Sequence, residues 1–331
     1  MPTYASDPSR AAVTRVENDI DVCRELWQSV MPSDVITDLW EVRDCFQRHF
    51  GNTACFLVEE DPDGIAALLP LSRIGETDAL GFFPGETWRG KTWLEQNRIF
   101  SRDGVPRSLI EGIAGKHHIR YLSAPPSLAD VEPVVDEIGY LFEPPRHNYD
   151  MESYFQAFSG KARRKLRKDI ERLEAIGVDY RYDDTADFDI MVELNVGRFG
   201  SESYFRDPRF LGSFRSLMEL LRDRGLMRIT TVILGGIPAA VDLGAIYNGT
   251  YTLLAGGTHP DYPGVAKLIN LHHMRFACER RLDSVDFLCG DFSWKKLFHL
   301  TPRPLYLLSN MPGANGDRAT AGGELSGRDD S

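Results

Sequence analysis

Residues 226–258 carry the most restrictive pattern in the chain: LMRITTVILG, IPAAVDLGAIYN and TYTLLAGGT, parted only by Gly235-Gly236 and Asn248-Gly249. Gly-Gly and Asn-Gly accept the positive φ that a two-residue hairpin turn demands, so the spacing predicts an antiparallel meander. A helical segment of about 264–282, apolar nearly all round, follows, and then the buried-strand run SVDFLC at 284–289. A helix that leaves a meander and returns to a strand is a crossover, which sets the new strand parallel to its neighbour. The pattern therefore specifies α+β and excludes an all-helical bundle.

The flanking sequence extends the plan. A helix is expected from about 159 to 176, with Leu166, Ile170, Leu173 and Ile176 as its apolar stripe and Gly177 as its stop. Between Lys161 and Arg172 its other face holds seven Lys/Arg against two Asp/Glu. A strand at 178–182 and a helix at 187–199 follow, and another helix starts at Asp207-Pro208, with Asp207 suited to the N-cap. Toward the N-terminus, Ile20, Cys23, Leu26, Trp27 and Val30 recur at helical spacing, and a second helix over 35–50 ends at Gly51. A hairpin is expected from 54–60 and 65–71, around the turn DPDG. Beyond the irregular Gly- and Trp-rich run at 81–100, the pattern gives a helix near 108–115, a strand at 118–123, a helix near 129–138 and strands near 139–144 and 304–308. Residues 1–12 read as a loose head and 309–331 as a disordered tail.

Composition narrows the function. The 331 residues carry 38 Lys+Arg against 49 Asp+Glu, a net charge of −11, which disfavours generic coating of DNA or RNA. No apolar run reaches the roughly 18–20 residues of a membrane span, and no basic head precedes an apolar stretch as in a secretory signal. The five cysteines, Cys23, Cys45, Cys55, Cys278 and Cys289, include no CxxC pair, so no disulfide framework or zinc knuckle is expected and the reading is cytoplasmic. Cys278 and Cys289 fall on an apolar helix and strand, typical of inert thiols.

Three local patterns carry a resemblance: Phe158-Ser159-Gly160-Lys161 running into the basic helix; the meander followed by Pro263-Gly264 and the long helix; and Asp286-Phe287-Leu288, then Gly290-Asp291 and Trp294-Lys295. Together they resemble the GNAT acyltransferases, and more specifically the FemAB-like branch, in which two GNAT-type units are fused; that branch usually has Tyr at the position of Trp294. The resemblance implies an N-terminal GNAT-like unit over 14–146 and a catalytic one over 147–308, each a mixed, mainly antiparallel sheet flanked by helices. It further implies acyl transfer to an amine, with acyl-CoA, acetyl-CoA first, as co-substrate and no permanently bound cofactor or metal. The acceptor would be a small-molecule or glycan-linked amine in cell-envelope or polysaccharide biosynthesis, and the enzyme a monomer or homodimer. The alternatives are a FemAB-like transferase using aminoacyl-tRNA, a carrier-protein donor, and a binding protein that keeps the fold without the chemistry.

Candidate residues follow. Asp242 sits mid-strand among small and apolar neighbours, where an unpaired carboxylate is costly, so it is either the amine-orienting base or the partner of a cation such as Arg228. His259, in the loop before the long helix, is a candidate acid or base. Lys295 matches the aromatic-Lys position of the resemblance and could hold a phosphate, a carboxylate or the developing oxyanion, with Asp291 to orient it. Gly256, Gly257, Pro263, Gly264 and Val265 would seat the donor, although a single Gly264 at the helix start departs from the Gly-rich phosphate loop of the superfamily. Trp88, Trp93, Gln96 and Asn97 could wall an acceptor, and Lys161 and Arg164 on the basic helix could contact a phosphate-bearing partner. Gly85 to Thr92 satisfies GxxxxGK[ST] literally, but without a buried strand before it and an apolar helix after it a phosphate loop is rejected. His272 and His273, adjacent on one helix, cannot both face one metal ion.

Overall fold

The computed structural model describes residues 13–125, 133–290 and 293–311. The fold is α+β, with mainly antiparallel and mixed sheets flanked by helices. The chain divides into two compact units, unit 1 (1–33, 37–137 and 304–331) and unit 2 (34–36 and 138–303).

Unit 1 is built from strands β1 (Val13–Glu17), β2 (Thr53–Ala54), β3 (Phe56–Asp61), β4 (Gly64–Leu69), β5 (Leu71–Ile74), β6 (Ala79–Phe82), β7 (Phe100–Ser101) and β8 (His118–Leu122). Its helices are α1 (Ile20–Val30), α2 (Trp40–Phe50) and α3 (Arg107–Glu111). One sheet runs β1-β3-β4-β7 and another β2-β5-β6. The expected hairpin is present as β3–β4, paired antiparallel from Leu57↔Leu69 to Asp61↔Gly64. Pro70 separates β4 from β5, and β5 pairs with β2 and β6 in the other sheet; a proline offers no N–H to a ladder, so the break falls there. Asp19 caps α1, and Gly51, at φ 64, ends α2 in the left-handed region that a Cβ disfavours.

Strand β9 (Val134–Phe142) takes up the second half of the segment expected to be the helix near 129–138; residues 126–132 lie outside those described. Val134, Val135, Ile138 and Tyr140 are β-branched or aromatic, and the buried carboxylate of Asp136 receives Arg120 of β8 at 3.0 Å, which fixes the extended backbone. Unit 2 continues with α4 (Met151–Phe155), α5 (Gly160–Glu174), β10 (Val178–Tyr182), α6 (Asp187–Phe199) and α7 (Pro208–Asp223). After them come β11 (Met227–Leu234), β12 (Ile237–Tyr247), β13 (Thr250–Thr258), α8 (Val265–Glu279), β14 (Ser284–Asp286) and α9 (Ser293–Leu297). The last strand, β15 (Thr301–Ser309), belongs to unit 1 from residue 304 and there pairs antiparallel with β8 through Tyr306↔Leu122 and Leu308↔Ile119, so Ser309 lies in a strand; the rest of the expected tail, from 312, lies outside the described residues.

The sheet of unit 2 runs β10-β11-β12-β13-β14-β9. The three meander strands and the α8 crossover match the sequence pattern, and β14 lies parallel to β13. Ser159 and Asp207 cap α5 and α7 through side-chain acceptance of backbone N–H groups. The core packs α5 and α8 on one face through Leu166, Ile170, Leu173, Leu268, Ile269 and Met274. Among the described residues no helix is long and apolar enough to cross a membrane.

Candidate functional site

Two features of the unit 2 sheet make a site. First, β13 meets β14 only over Thr250↔Ser284 to Thr252↔Asp286, because β14 stops at Asp286. From Leu253 to Thr258, β13 has no β14 partner. Second, the β12–β13 register slips between Leu243 and Gly244. A bulge of this kind re-aims side chains next to it.

Asp242 lies beside that bulge, opposite Thr230 on β11 and Gly256 on β13. Its carboxylate, 14% exposed, receives Nε2 of His273 at 2.9 Å. The ring of His273 is buried, and its Nδ1 lies 3.2 Å from the Tyr251 hydroxyl. A carboxylate only accepts, so Nε2 carries the proton and Nδ1 accepts from Tyr251. Burial drives the Tyr251 hydroxyl pKa upward, keeping that proton on oxygen. The result is a chain from a buried phenol through imidazole to a carboxylate partly open to solvent.

The expected Arg228 partner for Asp242 is not formed. Arg228 pairs instead with Asp183 at 3.1 Å and stacks over Tyr182 and Phe276. From the sequence, His273 is weighed only as a metal ligand. The available signal was a histidine inside the apolar stripe of the helix that crosses back over the strand bearing Asp242.

Gly256 and Gly257 have steric roles. A Cβ on Gly256 would stand 2.0 Å from Asp242 Oδ1, and one on Gly257 would stand 2.5 Å from the Met191 carbonyl of α6. Asn195 of α6 donates to the Gly256 carbonyl at 2.6 Å and accepts from Ser203. Gly256→Ala is therefore expected to push Asp242 off His273. It should cost about 1–3 kcal/mol of stability and reduce turnover as far as loss of the carboxylate does; a melting curve and an activity assay on the same preparation check both.

Pro263 and Gly264 open α8. Gly264 takes φ 92, and the first turn of α8 has neither a side-chain cap nor an acidic residue. Arg172 of α5 holds the Pro263 carbonyl at 2.8 Å, and Lys267 pairs with Asp169 at 2.7 Å, which ties the loop to the basic helix. His259 stands in the same β13–α8 loop, its Nδ1 accepting the Asp261 N–H at 3.2 Å.

Lys295 is a correction. Its ammonium is buried and donates to the carbonyls of Phe287, Leu288 and Cys289 at 2.8–2.9 Å. An ammonium has three N–H groups, so none is left for a substrate anion. Asp291, its expected orienting partner, lies outside the described residues. The five cysteines are free, and burial pushes the Cys278 thiol up to about 11, so it is no nucleophile at neutral pH. Cys289 lies past the end of β14 rather than on it.

Trp93 stacks on Phe46 at 5.6 Å, whereas Trp88 lies between Arg89 and Lys91 at the base of a tight turn. In that turn Arg89 and Gly90 both have positive φ, so Gly85 to Thr92 is a hairpin and not a phosphate loop. Gln96 is buried, and Asn97 spends its amide on the Arg120 carbonyl at 2.7 Å. Asn97 also borders a cavity of about 270 Å³ inside unit 1, with Arg43, Glu86, Phe82 and Leu94.

Burial raises the Glu86 carboxyl to about 7 from 4.5, against the opposing pull of the Trp93 and Leu94 N–H groups. A raised acid pKa stabilises the folded state while the group is protonated. Stability should therefore fall as pH climbs from 4.5 to about 7, by about 3 kcal/mol from this group. Denaturant unfolding across that window should show a steeper decline in wild type than in Glu86→Gln.

Residues 160–296 match a family model described as an acetyltransferase (GNAT) domain, so this stretch carries the GNAT fold. Solved structures extend the likeness beyond it. FemX is 10% identical, with 88% of this chain and 96% of that one covered and a TM-score of 0.52. A conserved protein of unknown function from Bacteroides thetaiotaomicron is 13% identical over 90% and 99%, with a TM-score of 0.53. The C-terminal domain of a provisionally named lysylphosphatidylglycerol synthetase from Agrobacterium fabrum is 12% identical over 92% and 96%, at 0.52. At such identities the likeness is one of fold. No curated protein matches the sequence.

Proposed function

We propose that the chain is an N-acyltransferase whose unit 2 moves an acyl group from a thioester, acetyl-CoA first, to an amine by direct attack. The observation that carries this reading is the Asp242–His273 pair beside the β13 edge that β14 leaves unpaired. Beyond β14, and apart from the Gly256 carbonyl that Asn195 holds, the β13 edge offers backbone hydrogen bonds to an extended pantetheine arm. The α8 terminus, which has no side-chain cap, offers the Gly264 and Ala266 N–H groups and a helix dipole to a pyrophosphate, with Pro263 and Val265 shaping the turn, since Pro263 has no N–H and Val265 gives its own to the Tyr262 carbonyl at 3.1 Å. Asp242 receives the proton that the attacking ammonium must lose, and His273 holds the carboxylate in place. His259 is a second proton acceptor, with a smaller share. The leaving thiolate takes up a proton from solvent, and no acyl-enzyme forms. Unit 1 is read as a second GNAT-like unit that shapes the acceptor side, the acceptor being a small or glycan-linked amine of envelope biosynthesis, and the enzyme as cytoplasmic.

A second reading rests on α5, where Lys161, Arg163, Arg164, Lys165, Arg167 and Lys168 are exposed and make no ion pair among the described residues. Such a face suits the phosphates of an aminoacyl-tRNA donor, the FemAB-like alternative. Release of free thiol from acetyl-CoA in the presence of a panel of primary amines tests the first reading. Amine-dependent release supports it. Transfer from aminoacyl-tRNA alone, lost on neutralising Lys161 and Arg164, replaces it with the second, and binding without any turnover replaces both with a non-catalytic protein.

A further inference from the structure

The cavity of unit 1 holds a buried charge with no carboxylate in contact; Asp38 and Glu86 act on it only from a distance. Arg43, on α2, is 1% exposed. Its Nε donates to the Thr37 carbonyl at 2.8 Å and its Nη1 to the Phe83 carbonyl at 2.7 Å. Its guanidinium lies over the rings of Trp27 and Phe82, each at 5.0 Å. No carboxylate reaches ion-pair distance among the described residues, and most of the guanidinium N–H groups are left over. Burial lowers its pKa to about 10, so it stays charged at neutral pH.

Glu86 borders the same cavity and is 2% exposed. Each of its oxygens accepts one backbone N–H, from Trp93 and Leu94, and keeps a further lone pair. It too has no ion-pair partner among the described residues. The other cavity cation, Arg120, is already neutralised by Asp136 at 3.0 Å. One buried cation and one carboxyl that ionises at about 7 therefore border one small space without ion-pair contact, while the remaining walls are mostly apolar. An uncompensated buried charge costs several kcal/mol, and a ligand with both charges would satisfy both ends.

We infer that the unit 1 cavity binds a small free zwitterion of the amino-acid type, its carboxylate on Arg43 and its ammonium on Glu86. The volume of about 270 Å³ admits a molecule of that size and is too small for a coenzyme or a sugar nucleotide. The inference does not depend on acyl transfer in unit 2, because it is read from binding.

The test is a thermal-shift and calorimetric titration of the full chain with free amino acids, their N-acetyl derivatives and their carboxamides. At least one free amino acid should bind. Its N-acetyl form, without the ammonium, and its amide, without the carboxylate, should each bind about tenfold more weakly or worse. Glu86→Gln should weaken the free amino acid to the level of its N-acetyl form while leaving the protein folded. Equal binding of all three forms would overturn the inference. So would the absence of binding by any of them to folded wild type, which would leave Arg43 and Glu86 a solvent-bridged structural pair only.

Discussion

Asp242→Asn should lower turnover by about 10²–10⁴-fold, the range that a positioned proton acceptor supplies, while leaving the melting temperature nearly unchanged. The asparagine keeps the shape and one carbonyl oxygen, so it can still accept from His273 Nε2, whose present bond is 2.9 Å. What it loses is the capacity to take a proton from an ammonium. Donor affinity should survive, because the proposed donor seat is the β13 edge and the start of α8 rather than this carboxylate. The loss should therefore appear mainly in kcat. His273→Gln should have an intermediate effect, since Asp242 remains but is less firmly held. A folded Asp242→Asn enzyme with wild-type turnover would remove Asp242 from the mechanism.

Lys295→Met should produce the largest stability loss. The substitution keeps the apolar stem and deletes an ammonium that satisfies three backbone carbonyls in the turn after β14. Leu288, in that turn, holds φ 55, a left-handed conformation unfavourable for a side chain of its kind, so the turn depends on those bonds. Leaving buried carbonyls unpaired should cost about 3–5 kcal/mol, on the order of 10 °C in melting temperature. Turnover per folded molecule, measured well below the transition, should stay within a few-fold of wild type. A variant as stable as wild type but without turnover would instead return Lys295 to the catalytic set.

The contrast between these two residues marks what the sequence could tell. Both were legible as unusual: an aspartate in the middle of an apolar strand, and a lysine after a glycine turn. Small neighbours in the strand pointed to room beside Asp242, and Gly256 on the adjacent strand leaves the carboxylate its space. The partner was not legible, because His273 lies 31 residues on, and only the packing of α8 onto the meander brings it to Asp242. Lys295 shows the opposite failure. Its motif was read through a resemblance, whereas its chemistry is set by carbonyls six to eight residues earlier that no side-chain pattern advertises. The meander and its turns were readable because glycine and asparagine report backbone conformation directly. Residues 134–138, expected in a helix, are strand because burial of Asp136 against Arg120 decides a short alternation.

The most direct measurement on the central claim is a thermal-shift titration of the purified chain with acetyl-CoA, longer acyl-CoAs and free CoA. At a ligand concentration about 100 times the dissociation constant, binding adds roughly 2.7 kcal/mol and should raise the melting point by several degrees. At least one acyl-CoA should produce that shift, and Asp242→Asn should retain it. A well-folded sample that no CoA species shifts would contradict a thioester donor.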